Sequence, residues 1–289
     1  MATDSFKCRF CSACLGYGCI GQLPGMGGVN QSRNFTLNCA SWDKLPADES
    51  LSVRPEHIGI APVTGAVQNI GYSEESDFYF PYFKAAKDSG ITVCVGDGAP
   101  DEKLLLGLKA VQELRTKAYF FFKPYPDERL MERLEWVKND ATAIGMDIDA
   151  YNIVTMRNQA KLERKSASQI ESLRRASGLP FMIKGVFTEE DIRLCEEVHP
   201  DIIVVSNHGG RVETLEGSTA DFLSQNKARL QNCCGELWVD GGIRKTRDIQ
   251  AALTAGAKRC LIARPFLATL AKSGTKGMQD FAASLFSDK

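Results

Sequence analysis

The strongest constraint on this chain is a rhythm. From Ile58 onward, eight short β-rich runs alternate with amphipathic stretches of helical length. The runs are Ile58 to Pro62, Ile91 to Val95, Ala118 to Phe122, Ala143 to Ile148, Pro180 to Lys184, Asp201 to Val205, Glu236 to Asp240 and Arg259 to Ala263. Several are almost continuously apolar, as strands covered on both faces must be. A strand that reaches its parallel neighbour through a helix cannot turn in a hairpin, so repeated βα units dictate a parallel sheet. Eight units ending on a helix predict a (β/α)8 barrel over residues 58–289, and a doubly wound open sheet is the other reading of the same alternation. Ser166 and Thr188 read as helix N-caps, with Gln169 and Asp191 three residues on, and Gly90, Gly178 and Gly256 read as left-handed helix ends. Residues 1–57 precede the first strand and read as an irregular, cysteine-rich cap with glycine turns such as Pro24 to Gly28.

The bulk properties narrow the partners. Lysine and arginine number 35 against 36 aspartate and glutamate, dispersed without long runs of one sign, which argues against a nucleic-acid or membrane-surface partner. The opening MATDSFKCRF lacks the positive start and apolar stretch of a secretory signal. No run reaches the roughly 18 apolar residues of a membrane span. The expected address is cytoplasmic, where the ten cysteines would be reduced.

In a barrel of this kind the site lies where the strands end, so the polar residues after each apolar run are the candidates. FMIKGV places Lys184 there, IIVVSNHGGR places His208 and Arg211, WVDGGIR places Asp240, Gly241, Gly242 and Arg244, and LIARPF places Ala263 and Arg264. A lone strand-end lysine is more often a surface residue, and DGG is more often a turn. His208 and Arg211, flanking two glycines directly after an apolar run, bring titratable groups into the crevice and do not read as core. The glycines and arginines after the seventh and eighth strands suit a phosphate, by close backbone approach and bidentate contact. They signal phosphate and do not distinguish a flavin from a sugar phosphate.

SNHGGR, DGGIR and the lysine of IKGV resemble the FMN-dependent 2-hydroxy-acid oxidase and dehydrogenase family, which includes glycolate and lactate oxidases, strongly from Phe181 to Leu270. GMDIDA and IAPVTGA resemble its fourth and first strands more weakly, and the opening cysteines with PGMGG resemble a bacterial subgroup. The resemblance implies a flavoprotein oxidising a small L-2-hydroxy acid. His208 would be the base, Asp149 its orienting partner, Arg211 the carboxylate ligand and Lys184 the cation beside the flavin. Asp240, Gly241, Gly242, Arg244, Ala263 and Arg264 would hold ribityl and phosphate, with Ala263 where glycine is usual. Phe121 stands where the family commonly has a flavin-binding glutamine and Lys123 where it has a substrate-binding tyrosine. The N-terminal tyrosine has no clear counterpart, and Arg157 matches a second arginine only with a shift in alignment. The same loops also resemble non-redox FMN barrels of the type-2 isopentenyl diphosphate isomerase kind, and a flavin-binding electron-transfer module is a third reading. Family analogy further implies a homo-oligomer.

Cys8, Cys11, Cys14 and Cys19 follow C-x2-C-x2-C-x4-C, a spacing at which thiolates can converge on an iron–sulfur cluster or zinc, or remain free or redox-active thiols. The other six cysteines, the Cys233 and Cys234 pair included, show no ligand spacing and are expected as small buried hydrophobes.

Overall fold

The computed structural model describes residues 33–153, 160–212 and 215–286. Eight strands run in parallel: β1 (Ile58–Ile60), β2 (Cys94–Gly96), β3 (Ala118–Phe122), β4 (Ala141–Asp147), β5 (Phe181–Val186), β6 (Ile202–Val205), β7 (Glu236–Asp240) and β8 (Arg259–Ile262). Each neighbours the next in sequence, and β1 also pairs with β8. Between β1 and β2 a bridge joins Gly59 to Thr92, with Ile60 N and Thr92 N donating to Thr92 O and Ile58 O at 3.0 Å. The ladder therefore closes into a barrel, and the open-sheet alternative is excluded. β3 and β7 coincide with their expected runs, whereas β2 begins at Cys94 because Ile91 to Val93 contribute only the bridge.

Helices α2 (Ser76–Asp88), α3 (Glu102–Glu113), α4 (Asp127–Val137), α5 (Ala167–Ser177), α6 (Glu189–Val198), α7 (Thr219–Asn232), α8 (Thr246–Thr254) and α9 (Arg264–Leu285) follow the eight strands in turn. α2 packs on both α3 and α9, so the outer ring closes as the inner one does. Ser166 and Thr188 form capping boxes with Gln169 and Asp191, and Gly90, Gly178 and Gly256 take φ of 70°, 61° and 96° at helix ends. No described helix is long and apolar enough to cross a membrane.

Strand alternation sorts the core into two layers. Phe120, Phe122, Ile144, Met146, Ile183, Val205 and Val239 face the helices, while Cys94, Phe121, Ala143, Met182, Ile202, Val204, Trp238 and Leu261 fill the barrel interior. The lumen is a packed apolar floor, and whatever is polar must stand at its rim.

The N-terminal region departs from the expected irregular cap, because Arg33–Ser41 forms a helix, α1. Its buried face is Asn34, Phe35, Asn38 and Ser41, at helical spacing but largely polar, which is why apolar periodicity did not reveal it. The helix lies across the strand-end face. Asn34 Nδ2 donates to Val212 O at 2.6 Å and Leu215 O at 2.8 Å, and Trp42 Nε1 donates to Gly241 O at 2.8 Å.

One buried ion pair ties the outer ring to the strand ends. On α4, Leu130, Leu134 and Val137 pack inward at i, i+4 and i+7, and Arg133 shares their stripe. Its Nε donates to Asp97 Oδ2 at 2.8 Å, its Nη2 to Asp101 Oδ1 at 2.6 Å, and its guanidinium lies 4.0 Å from the Tyr125 ring. Burial pushes the Asp97 carboxyl up to about 6, although Arg133 and the Lys123 and Gly98 amides favour its anion. A carboxyl raised in this way stabilises the fold most below its unfolded value, and that contribution is lost as pH rises through about 6. Arg133→Met removes the cation and raises Asp97 further. The variant is expected to lose about 3–5 kcal/mol at pH 8 and distinctly less at pH 5, read by urea unfolding at both values. Equal losses would mean that Asp97 carries no uncompensated charge.

Candidate active site

Alternation also selects the rim. Two residues beyond the interior side chains Phe121, Gly145, Met182, Val204, Trp238 and Leu261 stand Lys123, Asp147, Lys184, Ser206, Asp240 and Ala263. Register brings them together: Asp147 pairs with Lys184 across β4 and β5, and Phe122 pairs with Met146, which sets Lys123 beside Asp147. Lys123 Nζ donates to Asp147 Oδ2 at 2.6 Å and Lys184 Nζ to Oδ1 at 2.8 Å. Lys184 Nζ also lies 3.6 Å from Asp240 Oδ2, which accepts from Ser206 Oγ at 2.8 Å. All of these side chains are buried.

Charges in that position must compensate one another. Burial opposes the Asp147 carboxylate, but Lys123 and Lys184 outweigh it and hold the group below the usual carboxylate range. Burial likewise opposes the Lys184 ammonium, and Asp147, then Asp240 and Asp149, hold it above its ordinary value. Asp240 goes the other way: burial raises it despite Lys184 and the Ser206 hydroxyl.

His208 opens the turn after β6 in a left-handed conformation, φ 57°, uncommon outside glycine although histidine, like asparagine and aspartate, adopts it more readily than most residues. The turn is fixed by Asn207 Oδ1, which accepts from Gly210 N at 2.9 Å, and by Ser206 Oγ, which accepts from His208 N at 3.1 Å. His208 Nδ1 meets Asp149 Oδ1 and Oδ2 at 3.1 and 3.3 Å, which leaves Nε2 as the nitrogen able to accept a proton. Burial lowers the imidazole below its ordinary value, aided by Lys123 and Lys184 and opposed by Asp149 and Asp147.

Asp149 owes its place to Gly185. The β5 register shifts between Lys184 and Val186, Gly185 takes φ 97°, and a Cβ there would lie 2.6 Å from Asp149 Cγ. The glycine of IKGV is thus a cavity for the carboxylate that holds His208. Asp147, Asp149 and His208 offer ligand atoms within 4.8 Å of one another. Both Asp147 oxygens carry an ammonium, so the trio reads as an acid–base cluster and not a cation cage.

Two buried polar atoms at the rim, Arg211 Nε and Asp240 Oδ1, have no hydrogen-bond partner among the described residues. One unmet donor and one unmet acceptor on adjacent strand ends suit a polar ligand. Burial brings the Arg211 guanidinium down to about 10 against the pull of Asp240 and Asp149.

At the loop after β7, Gly241 and Gly242 lie against α1. A Cβ on Gly242, φ 79°, would lie 2.0 Å from the Asn38 carbonyl oxygen, and one on Gly241 would lie 2.8 Å from Asn38 Nδ2. The close backbone approach that these glycines permit is that of α1. Asn38 locks the arrangement, its Nδ2 donating to Asn207 Oδ1 at 2.8 Å and its Oδ1 accepting from Thr219 N at 3.0 Å. The Arg264 guanidinium, at the start of α9 just after Ala263, lies 4.3 Å from the Phe35 ring centroid and that of Arg244 at 5.8 Å, so the two expected phosphate arginines do converge, around an aromatic ring.

Lys184, His208, Asp149, Arg211 and Asp240 therefore gather at one rim. Asp147, Ser206, Asn207, Asn38 and Phe35 join them without having been singled out. Strand parity could have found Asp147, which stands at an inward position of GMDIDA. Phe121 packs in the lumen floor. Cys8, Cys11, Cys14, Cys19, Pro24 to Gly28 and Arg157 lie outside the described residues. The other six cysteines are free, with Cys94, Cys195, Cys233 and Cys260 buried and Cys39 and Cys234 half-buried.

The FMN-dependent dehydrogenase family matches residues 111–288, more than half of the chain. The chain belongs to that family. Among curated relatives, it is 36% identical over 115 residues to 2-hydroxyacid oxidase 1 of Mus musculus, covering 40% of this chain and 31% of that protein. It is 37% identical over 112 residues to L-lactate oxidase of Lactobacillus jensenii, covering 39% of this chain and 27% of that protein. The matched segment thus spans about a third or less of these relatives. A solved structure of mandelate oxidase with benzoyl-formic acid superimposes with a TM-score of 0.67 at 20% identity, covering 89% of this chain and 85% of that one, a likeness of fold.

Gly185→Ala is expected to cost about 1–2 kcal/mol or more, because it combines left-handed strain with a clash against Asp149. Thermal unfolding reads that loss. Proton NMR of the imidazole reads the second effect, altered His208 signals as the Asp149 contact is lost. Unchanged His208 signals would mean that Gly185 does not position the pair.

Proposed function

We propose that this protein is an FMN-dependent oxidoreductase that converts a small L-2-hydroxy acid to the 2-oxo acid. The observation that carries the reading is the His208–Asp149 pair, 3.1 Å apart, on the same rim as Lys184 and Arg211. Family membership supports FMN, and the unmet Arg211 Nε and Asp240 Oδ1 fit a polar group in the crevice. Lys184, Asp240, Gly241, Gly242, Arg244, Ala263 and Arg264 would hold it. Bound FMN supplies the acceptor for the hydride that leaves the substrate α-carbon.

The chain's own residues do the rest. Arg211 takes the substrate carboxylate on its planar fork. His208 Nε2 accepts the hydroxyl proton, and Asp149, bonded to Nδ1, fixes the tautomer and stabilises the imidazolium that forms. Lys184 contributes fixed positive charge where the cofactor ring gains electrons. The apolar lumen beneath keeps bulk water from below the rim. The four N-terminal cysteines are proposed, on spacing alone, to bind one metal or iron–sulfur cluster, which iron, sulfide and zinc analysis after anaerobic purification decides.

The protein as purified, or after reconstitution, is expected to be yellow, and Arg264→Ala to weaken FMN by about 1.5–3 kcal/mol, the range for a hydrogen bond to a charged group. Anaerobic stopped-flow mixing with a panel of 2-hydroxy acids is expected to bleach the flavin. His208→Asn is expected to slow bleaching by about 10²- to 10⁴-fold with flavin content unchanged. Because burial lowers His208, its neutral form persists below the ordinary histidine range, so the acid limb of the free-enzyme rate profile is expected below about pH 6.5. Bleaching by no hydroxy acid would favour the isomerase or electron-transfer reading. Bleaching that survives His208→Asn would remove the base assignment.

A further inference from the structure

The Lys123–Asp147–Lys184 triad gives one buried carboxylate two cations, of which Lys184 is shared with Asp240. One carboxylate, 2% exposed, holds two ammonium groups, 6% and 4% exposed, at 2.6 and 2.8 Å. One lysine would neutralise Asp147. The second gives Asp147 two ammonium partners in a buried site, with Lys184 shared with Asp240 at 3.6 Å, and an arrangement that costs desolvation needs a reason. The neighbour that supplies a reason is His208, whose ring nitrogen lies within 4.8 Å of a carboxylate oxygen of Asp147 as well as of Asp149.

Two bare carboxylates against one imidazole would hold it as the imidazolium, and an imidazolium cannot take a proton from a substrate. Asp149 cannot be dispensed with, because it touches Nδ1. Asp147 is the carboxylate whose influence can be cancelled, and Lys184, shared with Asp240, cancels it only in part. Lys123, inserted from β3 at the inward position after Phe122, completes the cancellation.

We propose that Lys123 is a positioning residue of the site, which, by giving Asp147 a second ammonium partner, keeps His208 the neutral base that answers to Asp149 alone. The inference rests on reading His208 as the base. Lys123 stands where the resemblance places a neutral tyrosine, so this way of tuning the histidine belongs to the chain's own residue.

The charged groups around His208 come from every side of the rim. Asp147 and Asp149 stand on β4 and its turn, Lys123 follows β3, Lys184 is on β5, Asp240 on β7, and Arg211 shares the turn of His208. From above, α1 brings Asn34, Phe35 and Asn38. Lys123 and Lys184 press the imidazole toward its neutral form, and Asp149 and Asp147 press toward the cation. Removing Lys123 deletes one of the former and strengthens Asp147 among the latter, so both changes raise the histidine's proton affinity.

The chain has three histidines, His57, His199 and His208, so imidazole carbon-13 NMR can follow each, with His208→Asn identifying the signal. The experiment uses the FMN-loaded protein and Lys123→Met, Lys123→Gln and Lys123→Arg. Lys184 remains on Asp147 in all three, which leaves the carboxylate a partner and favours folding. Lys123→Met and Lys123→Gln are expected to move the His208 midpoint up by about one pH unit, with His57 and His199 unmoved, and Lys123→Arg to keep the wild-type value. The acid limb of flavin reduction should move by the same amount. A midpoint unchanged in both neutral variants, or an equal shift in Lys123→Arg, overturns the proposal. The titration needs no substrate, so absence of hydroxy-acid oxidation would sink the functional reading while leaving this result to stand or fall separately.

Discussion

Side chains in a closed parallel ladder alternate between lumen and helices, and this constraint governs the whole site. Each strand has one inward position above the packed lumen. On β3 to β8 those positions are Lys123, Asp147, Lys184, Ser206, Asp240 and Ala263. The floor beneath them, built from Phe121, Met182, Val204, Trp238 and Leu261, is wholly apolar. Charges set on such a floor have little water to share, so each must be placed against another. The rim is consequently a network in which Asp147 joins β3 to β5 and Lys184 reaches toward β7.

The network would be open above without α1. Asn34, Asn38 and Trp42 bond the turns after β6 and β7, and Phe35 carries Arg264. This helix gives the glycines a second meaning. Gly242 is required by the approach of the Asn38 carbonyl, and Gly185 by the Asp149 carboxylate. Both glycines lie in segments that look like ligand cradles in sequence. In the fold they are contact points where one part of the protein makes room for another.

The fold was legible because its signal is repeated: eight apolar runs, each too short for ambiguity to spread, with caps at Ser166 and Thr188 that the structure bears out. The strand-end residues were legible for the same reason, since a strand that ends also names the residue after it. α1 was not, because its buried face is built from asparagines whose partners lie more than 160 positions away. Asp147 was passed over for its neighbour Asp149 because both stand in GMDIDA, and only register shows that one meets two lysines while the other meets the histidine. The approach of α1 to the glycines of DGG was not legible, because sequence cannot say which backbone comes close to them.

The two aspartates also show how one residue type fills opposite roles a few ångströms apart. Asp149 stands beyond the strand, in a turn, and among the described residues its ion-pair partner is His208. Asp147 stands on the strand, where register forces lysines on either side. At about 4 Å and an effective dielectric near 20, a charge contributes about 4 kcal/mol, equal to roughly three pH units. A histidine that must be neutral before it acts and cationic afterwards cannot sit beside two uncompensated carboxylates of that strength. It can sit beside one, provided the other is held by ammonium groups of its own, and strand parity is what supplies the lysines that do so.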